Sequence, residues 1–147
     1  MSLVYGLLLI MVCVVSGLVG MSPFASAAEL SPEYSGVLAA LQGGKAVHVL
    51  SDLSRCITSS DGSPGPAVQG GMEISNFIVV ERQSIAFSNV HETLDISGEP
   101  ITEYIRYNMN ADGKVTIRIA HLKNGDAEAA VQSEYVCQSP DGVRFTW

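Results

Sequence analysis

The segment "ITEYIRYNMNADGKVTIRIAHL" (residues 101–122) predicts a β-hairpin, and this hairpin decides the fold class. At its centre, Asn110-Ala111-Asp112-Gly113 is typical of a type I turn followed by a glycine in the left-handed conformation. Such a turn gives a three-residue loop with a bulge, and it pairs Asn110 with Lys114.

That loop length sets which residues face each other across the hairpin. Counting back from the loop gives one continuous apolar face, made by the pairs Met109–Val115, Tyr107–Ile117 and Ile105–Ile119. The opposite face pairs Asn108 with Thr116, Arg106 with Arg118 and Tyr104 with Ala120. A different loop length would pair apolar with charged residues on both faces, so the pattern favours this register.

The rest of the chain contains strand-like segments and one helix. The predicted strands cover residues 45–53, 72–80, 84–90, 91–97, 129–137 and 143–147. Residues 31–44 predict a short helix with Ser31 as N-cap, Pro32 in the first turn and Gly43-Gly44 at its end. The predicted fold is mainly β: a single antiparallel meander, closed or nearly closed as a small barrel or sandwich, with one N-terminal helix packed on it.

The N-terminal segment predicts export. Residues 1–27 contain no charged residue, and Leu3 to Val19 are almost wholly apolar. Ala25-Ser26-Ala27 fits a signal-peptidase site, which predicts cleavage before Ala28. Residues 1–27 would then be a signal peptide and residues 28–147 a single mostly-β domain, periplasmic or secreted and free of the membrane. The alternative is an uncleaved membrane anchor, for which the apolar stretch is barely long enough.

The predicted mature chain has two cysteines, Cys56 and Cys137. An oxidising compartment would join them as a disulfide. No C-x-x-C motif is present, and a catalytic Cys56 would need a nearby base that the preceding Asp-Leu-Ser-Arg does not supply. A disulfide between these two residues would place the end of the first strand beside the penultimate strand.

Charge and motif patterns exclude several classes of function. The chain has 8 basic and 15 acidic residues and a net charge of −7, which argues against binding to nucleic acid. Residues 108–113 resemble the start of a calcium loop, but Ile119 stands where the bidentate glutamate is required. His48, His91 and His121 lie in separate elements, and no hydrolase signature is present. No metal, cofactor or catalytic residue is therefore predicted.

The most distinctive local feature is Arg106 directly opposite Arg118, because opposed like charges destabilise a strand pair unless something neutralises them. One interpretation is a site for an anion such as a carboxylate, a phosphate or an acidic sugar. The other is that Glu92, Glu103 or another acid lies between the arginines. The candidate ligand-binding residues are His91, Tyr104, Arg106 and Arg118. The predicted loop 57–71 is either a ligand-binding flap or a surface excursion tethered by Cys56.

Four segments in order resemble the VirK family of small exported bacterial proteins. They are "VHVLSDLSRC" (47–56), Gly70-Gly71 with "EISNFIV" (73–79), "SIAFSNVHETL" (84–94) and "EPITEYIRYNMNADGKVTI" (99–117). The resemblance covers roughly residues 37–122. It implies an exported protein of undefined biochemical function in a context of host association, and it supplies no catalytic residues.

These observations favour a non-enzymatic binding or interaction protein, whose partner is an unknown protein or a small anionic ligand. The alternative is a small periplasmic hydrolase or isomerase using His91 or His48 with neighbouring carboxylates. A deep pocket joining His91, Asp95, Tyr104 and Arg106 would favour the enzyme. A third possibility is a structural accessory of the envelope, which an uncleaved leader would support.

Overall fold

The computed structural model describes residues 29–123 and 125–147, and the predicted signal peptide lies outside them. One helix, α1, spans Pro32–Gln42, and a 3-10 turn spans Leu53–Arg55. The strands of this part of the chain are β1 (His48–Asp52), β2 (Ile57–Thr58), β3 (Gln69–Glu73), β4 (Phe77–Val80), β5 (Ser84–Leu94), β6 (Pro100–Asn110), β7 (Lys114–Lys123), β8 (Ala130–Gln138) and β9 (Val143–Thr146).

Helix α1 forms as the sequence predicts. The Ser31 side chain accepts a hydrogen bond from the N–H of Tyr34 at 3.0 Å, and Pro32 fills the first position, where no N–H partner is needed. Gly44, just beyond the helix, has φ of +70°, which a glycine adopts without steric cost. The helix buries Tyr34, Val37, Ala40 and Leu41 in the core. None of the helical segments in the described part of the chain has the length and apolar character needed to span a bilayer.

The strands form two antiparallel sheets. The large sheet has the order β2-β8-β7-β6-β5-β4, and the small sheet has the order β3-β1-β9. One face of the large sheet, the small sheet and α1 enclose the hydrophobic core. Phe87 on β5 and Phe145 on β9 meet edge to face across it, with ring centroids 6.2 Å apart. The mainly β fold class is confirmed, and the described strands form two open sheets rather than a closed barrel.

The hairpin register is confirmed. β6 and β7 pair Met109 with Val115, Tyr107 with Ile117, Ile105 with Ile119 and Arg106 with Arg118. Gly113 has φ of +86°, as the predicted turn requires. The odd-numbered residues of β6 therefore face the core, where Tyr107 and Met109 are buried.

The predicted disulfide is present between Cys56 and Cys137, with 4.4 Å between the Cα atoms. Both cysteines are buried. β2 follows Cys56 directly and pairs with β8, which carries Cys137, so that Ile57 lies opposite Val136. The chain after the first strand is thus fixed beside the penultimate strand, as predicted.

Three predicted element boundaries are wrong. The strand predicted over 72–80 is two strands, β3 and β4, in different sheets; the chain leaves the small sheet at Ile74, which is buried and bonds its N–H to the carbonyl of Val47. The strands predicted over 84–90 and 91–97 are one, β5, because pairing with β6 continues without a break to Leu94. The predicted loop 57–71 contains β2 and the start of β3.

Candidate functional site

The large sheet separates the predicted ligand-binding residues onto its two faces. Tyr104, Arg106 and Arg118 lie on the face that points away from the core, which we call the outer face. His91 is paired with Glu103, an odd-numbered residue of β6, and lies on the opposite, core-side face. The structure therefore brings three of the four residues together and leaves His91 apart. Because the sheet lies between them, the described residues do not join His91 to Tyr104 and Arg106 in one pocket.

A row of polar side chains crosses the outer face at the level of the opposed arginines. In order of strands it consists of Ser88, Arg106, Arg118 and Glu134. Glu134 accepts hydrogen bonds from Arg118 through one oxygen, at 2.9 Å from Nε and 2.7 Å from a terminal nitrogen. These bonds, with a further one from Ser59, lower the pKa of Glu134 below its usual value. The acid that neutralises an arginine here is thus Glu134, whereas Glu103 lies on the other face.

Arg106 differs from Arg118 in its environment. Its side chain is exposed, and no carboxylate of the described residues forms an ion pair with it. Together with Arg118 and Glu134 it lines a shallow depression that Asn108 and Thr116 complete. The centre of the outer face therefore carries one guanidinium group in excess, with free donors directed to solvent, on a chain whose net charge is −7.

An apolar row borders the arginines on one side. It consists of Val90, Tyr104, Ala120 and Val131, which lie side by side on β5, β6, β7 and β8. Val90 and Val131 are more than half exposed, at 52% and 58%, and Tyr104 is 38% exposed. Because α1 and the small sheet pack on the other face, this row and Arg106 form a continuous surface that combines apolar area with positive charge.

The core-side face carries a second cluster, made of His91, Glu103 and His121. The Nε2 atom of His91 lies 3.2 Å from one oxygen of Glu103, and the Nε2 atom of His121 lies 2.8 Å from the other. The cluster extends the core-side face beyond the apolar pair of Ile105 and Ile119. Side-chain exposure is 44% for His91, 27% for His121 and 21% for Glu103. A carboxylate that orients an imidazole is an arrangement used in general base catalysis.

The sequence analysis did not predict that Glu103 and His121 form a cluster with His91, although the sequence indicated one of the contacts. The predicted hairpin register already places Glu103 opposite His121. His91 joins them only because β5 runs on to Leu94, beyond its predicted end. Within the described residues, no group of three or more His, Cys, Asp or Glu side chains is arranged to hold a metal ion.

The remaining residues considered for catalysis have other environments. His48 lies on the small sheet, where its register partners are Glu73 and Thr146, whereas His91 and Arg106 lie on the large sheet. Asp95 forms the turn after β5: its carboxylate accepts from Ser97 and Glu99 and pairs with Lys123 at 3.1 Å. These bonds hold its pKa well below the usual value, as expected for a turn-stabilising residue.

A cavity of about 500 Å³ lies near the disulfide, between the 3-10 turn and the β8–β9 connection. Most of its polar groups are already satisfied within the protein. Asp52 accepts hydrogen bonds from Ser54 and Gln69, and Arg55 pairs with Asp141. Gln69, at the start of β3, belongs to the segment predicted as a ligand-binding flap. Because these side chains hold turns together, they have a structural role. Arg144 also lines the cavity and forms no ion pair among the described residues.

Comparison with known proteins supplies a relationship and no activity. The family model described as VirK protein matches residues 29–127. An uncharacterized protein in the pinF2 3′ region of Rhizobium radiobacter is 32% identical over 107 residues, covering 72% of this chain and 74% of that protein. The uncharacterized protein y4wH of Sinorhizobium fredii is 33% identical over the same length and the same shares.

A crystal structure of a VirK family protein from Legionella pneumophila matches the fold. Its TM-score is 0.70 at 20% identity, and the match covers 82% of this chain and 100% of that one. At that level of identity the match concerns the fold alone.

Proposed function

The chain belongs to the VirK family, and from this premise we propose that it is an exported, non-enzymatic binding protein. Its ligand is an anion held on the outer face by Arg106. The observation that carries the proposal is the exposed guanidinium of Arg106, which has no carboxylate partner among the described residues and adjoins an apolar row.

Export is supported by the covalent bond between Cys56 and Cys137. Disulfides persist in the periplasm and outside the cell and are rare in the cytosol. The apolar N-terminal segment with its Ala-Ser-Ala cleavage motif agrees with this location. Mass spectrometry of protein recovered from the periplasm tests both points. We expect a chain that begins at Ala28 and lacks the two hydrogens of free thiols, whereas an intact leader with free thiols would contradict export.

The binding surface also indicates the chemical class of the ligand. Arginine offers a planar fork of donors that suits carboxylate and phosphate groups. Tyr104 lies two residues away on the same strand face, so the Cα atoms of Tyr104 and Arg106 are about 7 Å apart. A ligand that matches both residues carries an acidic group beside an apolar or ring-shaped part, as an acidic sugar does.

Calorimetric titration with three probes tests the binding surface: inorganic phosphate, glucuronate and trigalacturonate, each at low ionic strength. We expect at least one probe to bind and the variant Arg106→Gln to weaken binding by about 10-fold or more, because a charge-assisted hydrogen bond contributes about 1.5–3 kcal/mol. The matched control is Arg144→Gln, since Arg144 is also exposed and forms no ion pair among the described residues. Equal losses in both variants, or no binding of any of the three probes, would contradict the proposal.

A role in host association forms part of the proposal, since the family resemblance implies that context. A deletion strain complemented with the wild type or with Arg106→Gln tests it. We expect only the wild type to restore host colonisation, at equal amounts of exported protein. Full restoration by the variant would show that colonisation does not depend on Arg106.

A second candidate function is a small periplasmic hydrolase or isomerase that uses His91 and Glu103. It is favoured by the 3.2 Å contact between the two side chains at a partly exposed position. A panel of chromogenic ester and glycoside substrates tests this candidate. If the protein is such an enzyme, the wild type turns over at least one substrate. His91→Asn and Glu103→Gln abolish this activity, and His48→Asn leaves it intact. Turnover that is absent, or unaffected by these changes, would favour the binding protein.

A further inference from the structure

Strand β4 forms one edge of the large sheet and exposes apolar side chains there. Its four residues, Phe77 to Val80, include no charged residue and no proline. Exposure is 39% for Phe77, 69% for Ile78 and 44% for Val80. Since β4 pairs only with β5, the backbone groups on its other side have no strand partner in the described part of the chain. An exposed apolar edge presents unpaired backbone groups that can pair with a strand of another chain.

Other edges of the large sheet carry devices that prevent such pairing. Beyond Phe87, β5 is itself an edge, but the Asn89 side chain accepts the N–H of Val90 at 2.9 Å, and the charged Glu92 follows. At the opposite edge, β2 is only two residues long and Pro64 bridges to Ile57. Charged residues, prolines and short length are the usual protections of free edges. β4 is also short, at four residues, but its sequence is apolar and carries neither a charge nor a proline.

The hydrogen-bond pattern fixes which backbone groups of β4 are free. Because the N–H of Val90 bonds to its neighbouring side chain instead of to β6, the even-numbered residues of β5 direct their N–H and C=O groups toward β4. Ala86 lies opposite Ile78, and Ser84 lies opposite Val80. The backbone groups of Ile78 and Val80 are thus directed to β5, and those of Val79 point outward.

We propose that this edge binds a second copy of the chain, with the two β4 strands antiparallel around a twofold axis at Val79. In this register the outward N–H and C=O of Val79 exchange two hydrogen bonds with Val79 of the second copy. Ile78 then lies opposite Val80 of the second copy on the outer face, and the same pair repeats across the axis. One register thus satisfies the free backbone groups and covers the two most exposed apolar side chains of the strand.

Self-pairing suits this strand better than pairing with a charged partner. The chain carries a net charge of −7, so two copies repel, but Phe77 to Val80 bring no charge to the contact. Glu81 would face Phe77 of the second copy, and no like charges would stand directly opposite each other. A twofold axis makes the contact isologous, as in most homodimers.

The dimer would extend the proposed function without depending on it. The twofold axis runs perpendicular to the large sheet, so the outer faces of both copies lie on the same side of one continuous sheet. The two Arg106 side chains then face the same solvent region and could bind one extended anion at two points. Two linked contacts raise apparent affinity without any new interaction.

Sedimentation equilibrium of the exported protein, recovered from the periplasm, tests the dimer. We expect a mass twice that of one chain for the wild type. Ile78→Lys places a charged side chain opposite the apolar Val80 of the second copy, where its charge would have to be desolvated. Val79→Pro removes an outward N–H that the fold does not use. Each variant should raise the dimer dissociation constant by at least 10-fold. Val90→Lys is the matched control, since Val90 is 52% exposed on the same face but away from β4, and it should remain dimeric.

Circular dichroism checks that each variant is folded, and Ile78→Lys keeps the test valid if Val79→Pro does not fold. A wild type that stays monomeric at about 100 μM, or a dimer that both variants leave intact, would overturn the proposal. Arg106→Gln should lose anion binding and keep the dimer mass, so failure of the dimer is distinguishable from failure of the proposed binding function.

Discussion

Removing the disulfide should weaken the fold by an amount that its position in the chain determines. Cys56 and Cys137 are 81 positions apart, and on the chain-entropy model a loop of that size corresponds to about 4.5 kcal/mol at 25 °C. A domain of this size typically has a free energy of unfolding of about 5–15 kcal/mol. The double variant Cys56→Ala/Cys137→Ala should therefore lose a large fraction of its stability.

The assay is equilibrium unfolding in urea, followed by far-UV circular dichroism and by the fluorescence of Trp147. With a denaturant slope of about 1.5 kcal/mol/M, a loss of 4.5 kcal/mol moves the midpoint down by about 3 M. Wild type treated with a reductant should show a similar decrease, which separates loss of the bond from loss of cysteine packing. A double variant whose midpoint stays within about 0.5 M of the oxidised wild type would refute the reasoning.

Three further predictions concern single residues. Tyr34 is fully buried and its hydroxyl has no hydrogen-bond partner among the described residues, so Tyr34→Phe should raise the free energy of unfolding by about 1 kcal/mol, and a loss of that size in urea unfolding would contradict this. Arg82 has φ of +56° in the β4–β5 turn, so Arg82→Gly should raise the melting temperature by a few degrees, whereas Arg82→Ala should not. Because the folded state lowers the pKa of Asp95, that residue stabilises the fold above its ordinary pKa of 3.8, and the contribution is lost as the pH falls below this value. When the free energy of unfolding is measured as the pH is lowered, Asp95→Asn should lack this loss of stability. A variant with the same pH dependence as the wild type would contradict the stabilising role of Asp95.

The sequence predicted those parts of the fold that local patterns determine. The hairpin register follows from a turn that fixes the loop length and from a period-two pattern that allows only one pairing. The disulfide was predicted from two cysteines in a chain whose N-terminal sequence predicts export. Gly113 and Ser31 act as predicted because turn and cap geometry depend on a few adjacent residues.

The parts that were missed depend on pairing between distant strands. Glu134 could not be identified as the partner of Arg118, because the register between β7 and β8 shifts at Ile119 and Ala120. Such a bulge has no counterpart in the alternation of apolar residues. The division of residues 72–80 between two sheets also depends on distant contacts. The apolar pattern of this segment predicts one strand, and only the burial of Ile74 in the core interrupts the strand.

The central claim, that the outer face binds an anion at Arg106, is tested most directly by nuclear magnetic resonance. The Nε–H resonances of the arginine side chains are followed while the mature protein is titrated with trigalacturonate and, separately, with inorganic phosphate at low salt. The account predicts a saturable shift of the Arg106 resonance and of the neighbouring backbone of Tyr104, with His91 and Arg144 unchanged. Shifts spread equally over all arginines, or concentrated around His91 on the other face, would contradict it.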